Sequence, residues 1–153
     1  MDVICDVAAR HRVKIVEDNA HGLFARYRGK YTGTFGALAT QSFHETKNIS
    51  CGEGGALIVN DPELVERAQI IREKGTNRNQ FFRGMVDKYT WVDLGSSYLP
   101  SDMLAAFLLA QLEGREQIQA KRPAHGTALL VDLTDQSTHR GGHAFIVKIK
   151  FAA

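Results

Sequence analysis

Apolar and polar positions in the first part of the chain predict a helix followed by a short strand. Apolar residues recur at helical spacing from Val3 to Ala8, and the basic residues just after them suit a helix C-terminus. The β-branched run Val13–Val16 then predicts a buried strand that ends at Glu17 and Asp18.

Two more strands and two more helices follow. We expect strands over 37–43 and 55–59, after a stretch that glycines divide into turns. Asp61, Pro62 and Glu63 predict the start of a helix, because a capping acid, a first-turn proline and a first-turn acid stand in order, and Gly75 predicts its end.

The last predicted helix begins at Ser101-Asp102 and runs to about Gln119. Its first half, Met103–Ala110, is apolar on all sides, which implies burial on several sides. Helices that alternate with strands indicate an α/β fold. From Pro123 onward the pattern weakens, and only Ala128–Val131 and Ala144–Ile149 resemble strands.

Composition narrows the class of protein. The chain has 153 residues, 44% hydrophobic and 24% charged, which is typical of one globular domain. A net charge of +2 is too small to argue for nucleic acid, and no apolar run approaches the roughly 20 residues of a membrane span. Two cysteines cannot form a disulfide framework, and Asp2 and Asp6 disfavour a signal peptide, so we expect a cytoplasmic protein.

Two features suggest chemistry at strand ends. Asp18 follows a buried strand, where open α/β sheets place ligands, and Lys47 follows the next strand, where a partly desolvated amine can attack carbonyls. Taken singly, each has an ordinary interpretation as a turn acid or a surface lysine. A metal site is not expected, because Gly141 and Gly142 disfavour a helix that would present His139 and His143 together.

The order of several segments resembles the DegT/DnrJ/StrS family of sugar aminotransferases, pyridoxal-phosphate enzymes of the aspartate-aminotransferase fold type. The resemblance covers about residues 1–120 and implies a three-layer α/β/α fragment of the large domain, with a mixed, mostly parallel sheet. Its later segments are similar to the branch that aminates a dTDP-linked 4-keto-6-deoxy sugar to give dTDP-4-amino-4,6-dideoxygalactose. The matching segments are Val16–Gly22, Gly33–Gly36, Ser42–Asn48, Gly52–Ala56, Arg72–Arg78, Gln80–Gly84, Asp87–Trp91 and Asp93–Leu99.

The resemblance implies that pyridoxal phosphate is the cofactor, which acts as an electron sink tuned by the protein. Asp18 would keep the proton on its pyridine nitrogen. Lys47 would join its aldehyde and later shuttle a proton. His21 would contact the phenolic oxygen, and Ser42 would bind the phosphate.

Further contacts implied by the resemblance lie later in the chain. Ser97 would reach the phosphate in the neighbouring subunit of a homodimer, and His44 would face the sugar. Arg78 and Arg83 would meet the nucleotide diphosphate or a dimer contact. The implied substrates are a nucleotide-linked keto sugar and L-glutamate.

The family's proteins are more than twice as long, so we expect residues 1–120 to form part of a large domain and 121–153 a divergent start of the small one. We therefore expect impaired transamination. The alternatives are a catalytically silent binding or dimerisation module, and a nucleotide- or nucleic-acid-binding domain in which basic residues flank Phe81 and Phe82.

Overall fold

The computed structural model describes residues 1–121, which form an α/β arrangement. The chain is helical again over 115–121, after Gly114. A 3-10 turn lies between the strands and the later helices. The elements in chain order are α1 (Asp2–His11), β1 (Val16–Asp18), β2 (Arg26–Tyr27), β3 (Lys30–Tyr31), β4 (Leu38–Ser42), β5 (Gly55–Val59), the 3-10 turn (Pro62–Leu64), α2 (Val65–Arg72), α3 (Arg78–Phe82) and α4 (Asp102–Glu113).

A three-stranded sheet in the order β1-β4-β5 forms the centre. β1 runs parallel to β4, and β4 runs antiparallel to β5, so the sheet is mixed, as expected. The described pairs are one parallel and one antiparallel, and a parallel majority is therefore not seen in this part of the chain. Because β1 and β4 are parallel, their carboxyl ends lie at the same edge of the sheet.

The first strand begins later than the sequence predicts. The expected strand Val13–Val16 overlaps β1 (Val16–Asp18) at one residue only. The carbonyl of Ile15 accepts the backbone N–H of Ala37 at 2.9 Å, and regular pairing begins only after that contact. Glu17 and Asp18 are consequently strand residues rather than the residues that follow it.

The predictions for 37–43 and 55–59 are confirmed by β4 and β5. The predicted cap is also confirmed, because the Asp61 side chain accepts the N–H of Glu63 at 3.0 Å. The helix itself opens as a 3-10 turn, and α2 ends at Arg72, before Gly75. The hairpin of β2 and β3 and the short helix α3 were not predicted.

The principal apolar core is a cluster of Phe43, Ile49 and Cys51. Three leucines of α4 pack against it, namely Leu104, Leu108 and Leu112.

The expectation that α4 is buried on several sides is wrong for the described residues. None of its side chains is fully buried, and Met103 is 83% exposed. Leu104, Leu108 and Leu112 meet the core, whereas Phe107 and Leu109 are more than half exposed in the described chain.

The strand predictions for Ala128–Val131 and Ala144–Ile149 lie outside the described residues, as do His139 and His143. The division of the chain at residue 120 likewise remains a prediction. Within residues 1–121, every helix is too short or too polar to cross a membrane.

Candidate functional site

The carboxyl ends of β1 and β4 bring two predicted site residues to one edge. Asp18 is the last residue of β1 and lies opposite Thr40, while Ser42 is the last residue of β4. Side chains two residues apart on a strand share a face, so Asp18, Thr40 and Ser42 lie on one side of the sheet. The Asp18 side chain is exposed, and one of its oxygens accepts the N–H of Ala20 at 3.2 Å.

The candidate lysine contacts the loop that follows β1. Lys47 Nζ lies 2.9 Å from Nε2 of His21, three residues after Asp18. A protonated lysine and a protonated imidazole cannot share a hydrogen bond, so this contact requires that at least one of the two groups be neutral. The loop that follows β4 is thus joined, through Lys47 and His21, to the loop that follows Asp18 at the end of β1.

A tight loop holds Lys47 after β4. The N–H of Lys47 donates to the carbonyl of His44 at 2.9 Å, and the N–H of Glu45 donates to the carbonyl of Gly52 at 2.8 Å. Phe43, at the start of this loop, is buried in the apolar core. The lysine therefore extends from a short turn that is anchored at its base.

The ring of His44 is engaged by its own neighbourhood. Its Nδ1 accepts the N–H of Thr46 at 3.2 Å and lies 3.0 Å from the hydroxyl of that residue. Its Nε2 lies 3.6 Å from a carboxylate oxygen of Glu53. An Nδ1 that accepts a backbone N–H carries no proton, so the neutral ring has its proton on Nε2, facing Glu53. Binding a sugar would require His44 to exchange one of these contacts.

The other predicted residues lie in the segment that follows α2. Ser97 is exposed and pairs with Glu73 through an isolated antiparallel bridge. Arg78 lies 3.9 Å from the Glu73 carboxylate and 5.0 Å from the ring centre of Phe82. Arg83 caps α3 and is exposed. Within residues 1–121, none of these three makes a hydrogen bond or an ion pair with the residues at the strand ends.

A buried acid beside the site was not predicted from the sequence. Glu17 is 5% exposed and accepts hydrogen bonds from the backbone of the loop that precedes β4. Asn60, after β5, donates to carbonyl groups of the same loop. One signal was present, because Glu17 shares a strand face with Ile15, which the apolar pattern marks as buried. A carboxylate on such a face needs N–H partners.

The arrangement has a definite chemical capacity. Asp18 offers an acceptor that suits a protonated heterocycle, Ser42 offers a hydroxyl, and Lys47 offers an amine that can join a carbonyl carbon. His21 can hold a proton that moves to or from that amine. This set of groups is suited to a cofactor that carries an aldehyde and a basic ring.

Comparison with known proteins identifies the family. Residues 1–142 match the DegT/DnrJ/EryC1/StrS aminotransferase family. The chain is 37% identical over 122 residues to GDP-perosamine synthase of Caulobacter vibrioides, covering 80% of this chain and 31% of that protein. The chain therefore belongs to the DegT/DnrJ/EryC1/StrS family of aminotransferases.

Solved structures agree in fold. PseC of Helicobacter pylori, an aminotransferase involved in the biosynthesis of pseudoaminic acid, superposes with a TM-score of 0.65 at 27% identity, covering 74% of this chain and 29% of its own. A sugar aminotransferase of Streptococcus pneumoniae in its PLP form gives a TM-score of 0.55 at 27% identity, covering 67% and 26%. The fold is that of the α/β aminotransferases, and the chain spans about a third of the length of these relatives.

Proposed function

We propose that this chain carries the cofactor lysine and the ring-pairing acid of an aminotransferase acting on a nucleotide-linked keto sugar. The observation that carries the proposal is the convergence of Asp18, Ser42 and the His21–Lys47 contact at the carboxyl ends of two parallel strands. Open α/β sheets bind ligands at such edges.

Pyridoxal phosphate is the cofactor that family membership and the PLP form of a structural neighbour indicate. When bound, it supplies an aldehyde that joins amines and a ring that accepts an electron pair from the adjacent carbon. The donor set of this chain fits it, since the residues at and after the ends of β1 and β4 include a carboxylate, a hydroxyl and an amine. Asp18 would bind the ring N–H and keep its proton in place.

Each of the other site residues has a distinct proposed role. Lys47 would hold the aldehyde and, when displaced by the amino donor, move a proton at its Nζ. His21 would orient that amine, as its contact at 2.9 Å already does, and bind the phenolic oxygen. Ser42 would donate its hydroxyl to the phosphate. Ser97 would do the same in the partner subunit of a homodimer.

The substrate belongs to the same proposal. GDP-perosamine synthase is named for a nucleotide-linked amino sugar, which supports a nucleotide-linked acceptor here. We assign the acceptor as a dTDP-linked 4-keto-6-deoxy sugar, giving dTDP-4-amino-4,6-dideoxygalactose, and the donor as L-glutamate. Arg78 and Arg83 would face the diphosphate, and His44 the sugar. The free cysteines Cys5 and Cys51 support a cytoplasmic location.

Borohydride trapping tests the proposal. The aldehyde of pyridoxal phosphate and the Lys47 amine form a C=N bond with loss of water, and borohydride reduces that bond to a stable adduct. We expect mass spectrometry to find one adduct per chain at Lys47 at limiting cofactor. Lys47→Ala should abolish it, while Lys88→Ala should not. Asp18→Asn should lower the affinity of the chain for pyridoxal phosphate at least tenfold. Labelling spread evenly over the lysines would refute the assignment.

A silent assembly module is the second candidate, and one observation favours it. Large apolar side chains are exposed after α3, with Trp91 at 75% and Leu94 at 88%. Exposed apolar patches commonly mark contacts between chains. Self-association in sedimentation velocity, together with no adduct at Lys47, would select this function over amino transfer.

A further inference from the structure

A single buried carboxylate holds the loop that precedes β4. One oxygen of Glu17 accepts the N–H groups of Phe35 at 2.6 Å and Gly36 at 2.7 Å, and the other accepts the N–H of Gly33 at 2.8 Å. Both oxygens are thus engaged by one short loop. Hydrogen bonds between a charged carboxylate and backbone N–H groups are among the stronger ones in proteins.

Asn60 holds carbonyl groups of the same loop. Asn60 Nδ2 donates to the carbonyl of Gly33 at 3.0 Å and to that of Gly36 at 2.9 Å. The loop also lies against β1, because a Cβ at Gly36 would come within 2.5 Å of the carbonyl oxygen of Ile15. The N–H groups and the carbonyls of residues 33–36 are therefore both held by side chains, and the loop has little room to shift.

The position of this loop fixes how β1 and β4 align. β4 begins two residues after Gly36, and Glu17 lies on β1 itself, so the carboxylate ties the start of one strand to the middle of the other. The alignment places Asp18 opposite Thr40, and the N–H of Asn19 donates to the carbonyl of Thr40 at 3.1 Å. A slip by one residue would turn the side chains of a strand to the other face of the sheet.

We propose that Glu17 is a positioning residue, whose carboxylate locks the β1–β4 register and thereby sets Asp18 at its place relative to Ser42 and Lys47. The inference rests on the proposed function, since Asp18 matters there as the partner of the ring nitrogen. Within residues 1–121, the Glu17 side chain makes no hydrogen bond or ion pair with Asp18, Ser42 or Lys47, and it acts through the strand that carries its neighbour.

Glu17→Gln is the decisive variant because it keeps the shape and removes one acceptor. Glutamine offers one oxygen and one NH2 group, so whichever way the amide lies, an NH2 group meets a backbone N–H. Glu116→Gln is the matched control, since Glu116 is exposed and contacts only Arg115 in the described chain. Hydrogen exchange by NMR on the full chain measures the protection of individual amides.

We expect the amides of Gly33, Phe35, Gly36 and Asn19 to lose protection in Glu17→Gln, by on the order of 10- to 100-fold. The amides that join β4 to β5 should keep theirs, which shows that the fold persists. Glu116→Gln should leave all of them unchanged. Unchanged protection at Asn19 and the loop would overturn the proposed lock, whether or not the chain binds cofactor.

Cofactor capture then tests the consequence for the site. Under conditions where β4–β5 protection is intact, Glu17→Gln should weaken pyridoxal-phosphate capture at Lys47 about tenfold or more, and Glu17→Asp, which keeps the charge, should recover part of it. If Glu17→Gln loses loop protection but captures pyridoxal phosphate as well as the wild type does, only the positioning role is contradicted. If the wild type captures no pyridoxal phosphate, the proposed function is wrong. The hydrogen-exchange data would still show whether Glu17 holds the β1–β4 register.

Discussion

The first 60 residues and residues 65–121 differ in how far their apolar side chains are buried. In the described chain, every buried apolar residue lies in the first part, from Ala8 to Cys51. The second part contributes buried Thr76 and Asn77 but no buried apolar side chain, and it exposes large ones such as Trp91 and Phe107.

The two parts differ in the groups that their side chains contact. In the first part, polar side chains such as Glu17 and Asn60 satisfy the backbone of tight loops, so strands and loops can approach closely. In the second part, α4 presents leucines to the core on one face and apolar side chains to the outside on the other. The first part thus holds the apolar core of the described chain, against which leucines of the second part pack, and the second part carries apolar surface that is typical of contacts with other polypeptide.

Removing the centre of the core should have the largest effect. Ile49 is 1% exposed, whereas Leu94 is 88% exposed. We expect Ile49→Ala to lower the free energy of unfolding by about 2–5 kcal/mol, because it deletes buried surface and leaves a cavity. Leu94→Ala should change it by less than about 0.5 kcal/mol. Urea denaturation monitored by circular dichroism measures both, and equal costs would remove the contrast between the two parts.

The glycines sharpen the comparison at the level of the backbone. A Cβ at Gly36 would meet the Ile15 carbonyl oxygen at 2.5 Å, and one at Gly114, with a φ of −82°, would find its nearest atom at 3.5 Å. Gly36→Ala should therefore destabilise the protein by about 1–3 kcal/mol through overpacking.

Gly114→Ala should instead stabilise it by about 0.5 kcal/mol, since alanine favours helix on either side of that position. Thermal denaturation of the two variants gives the sign of each change. A stabilised Gly36→Ala would mean that the loop has space that the structure does not show.

Sequence patterns predicted the local elements of both parts better than their surroundings. β4 and β5 lie where the sequence predicts strands, and the Asp61 cap follows from capping chemistry, which is a local property. The start of β1 did not follow, because pairing with Leu38 across 22 residues decides it. The exposed face of α4 was also not predicted. An apolar pattern indicates that a helix is covered by other residues, but it does not indicate where in the chain those residues lie.

The candidate site shows the same division. Asp18 and Lys47 were noticed because they follow strands, and a resemblance in residue order implied their roles and those of His21 and Ser42. The structure places Asp18 and Ser42 at the carboxyl ends of β1 and β4 and Lys47 Nζ 2.9 Å from His21 Nε2. The burial of Glu17 had a signal in the face that it shares with Ile15, but its three partners had none, because they are backbone N–H groups.

Capping of α4 provides a smaller test in the second part. The hydroxyl of Ser101 accepts the N–H of Leu104 at 3.3 Å at the start of this helix. Ser101→Ala should cost about 1 kcal/mol, and Ser101→Asp should retain most of the stability because aspartate also caps. Hydrogen exchange should show lost protection at Leu104 and unchanged protection in β4 and β5. Loss in both places would mean that α4 and the sheet unfold together.

The smallest expected effect is a pH dependence at the surface of the first part. A hydrogen bond to Asp61 raises the pKa of Lys14 above 10.5, and the same bond, together with the N–H of Glu63, lowers the pKa of Asp61 below 3.8. The Lys14 contribution to stability is therefore complete below pH 10.5 and is lost as the pH rises through the raised value. The Asp61 contribution is complete above pH 3.8 and is lost as the pH falls through the lowered value.

Lys14→Met distinguishes the loss of stability at high pH from the loss at low pH. The alkaline loss should disappear, because its titrating group is gone, while the acid loss should shrink but persist, because the Glu63 N–H still favours ionised Asp61. Lys88→Met, on an exposed loop, should leave both losses in place. Urea midpoints measured from pH 3 to pH 11 should show the difference at low salt and less of it at high salt, since exposed pairs are screened. If stability is still lost at high pH in Lys14→Met, a group other than this pair causes that loss.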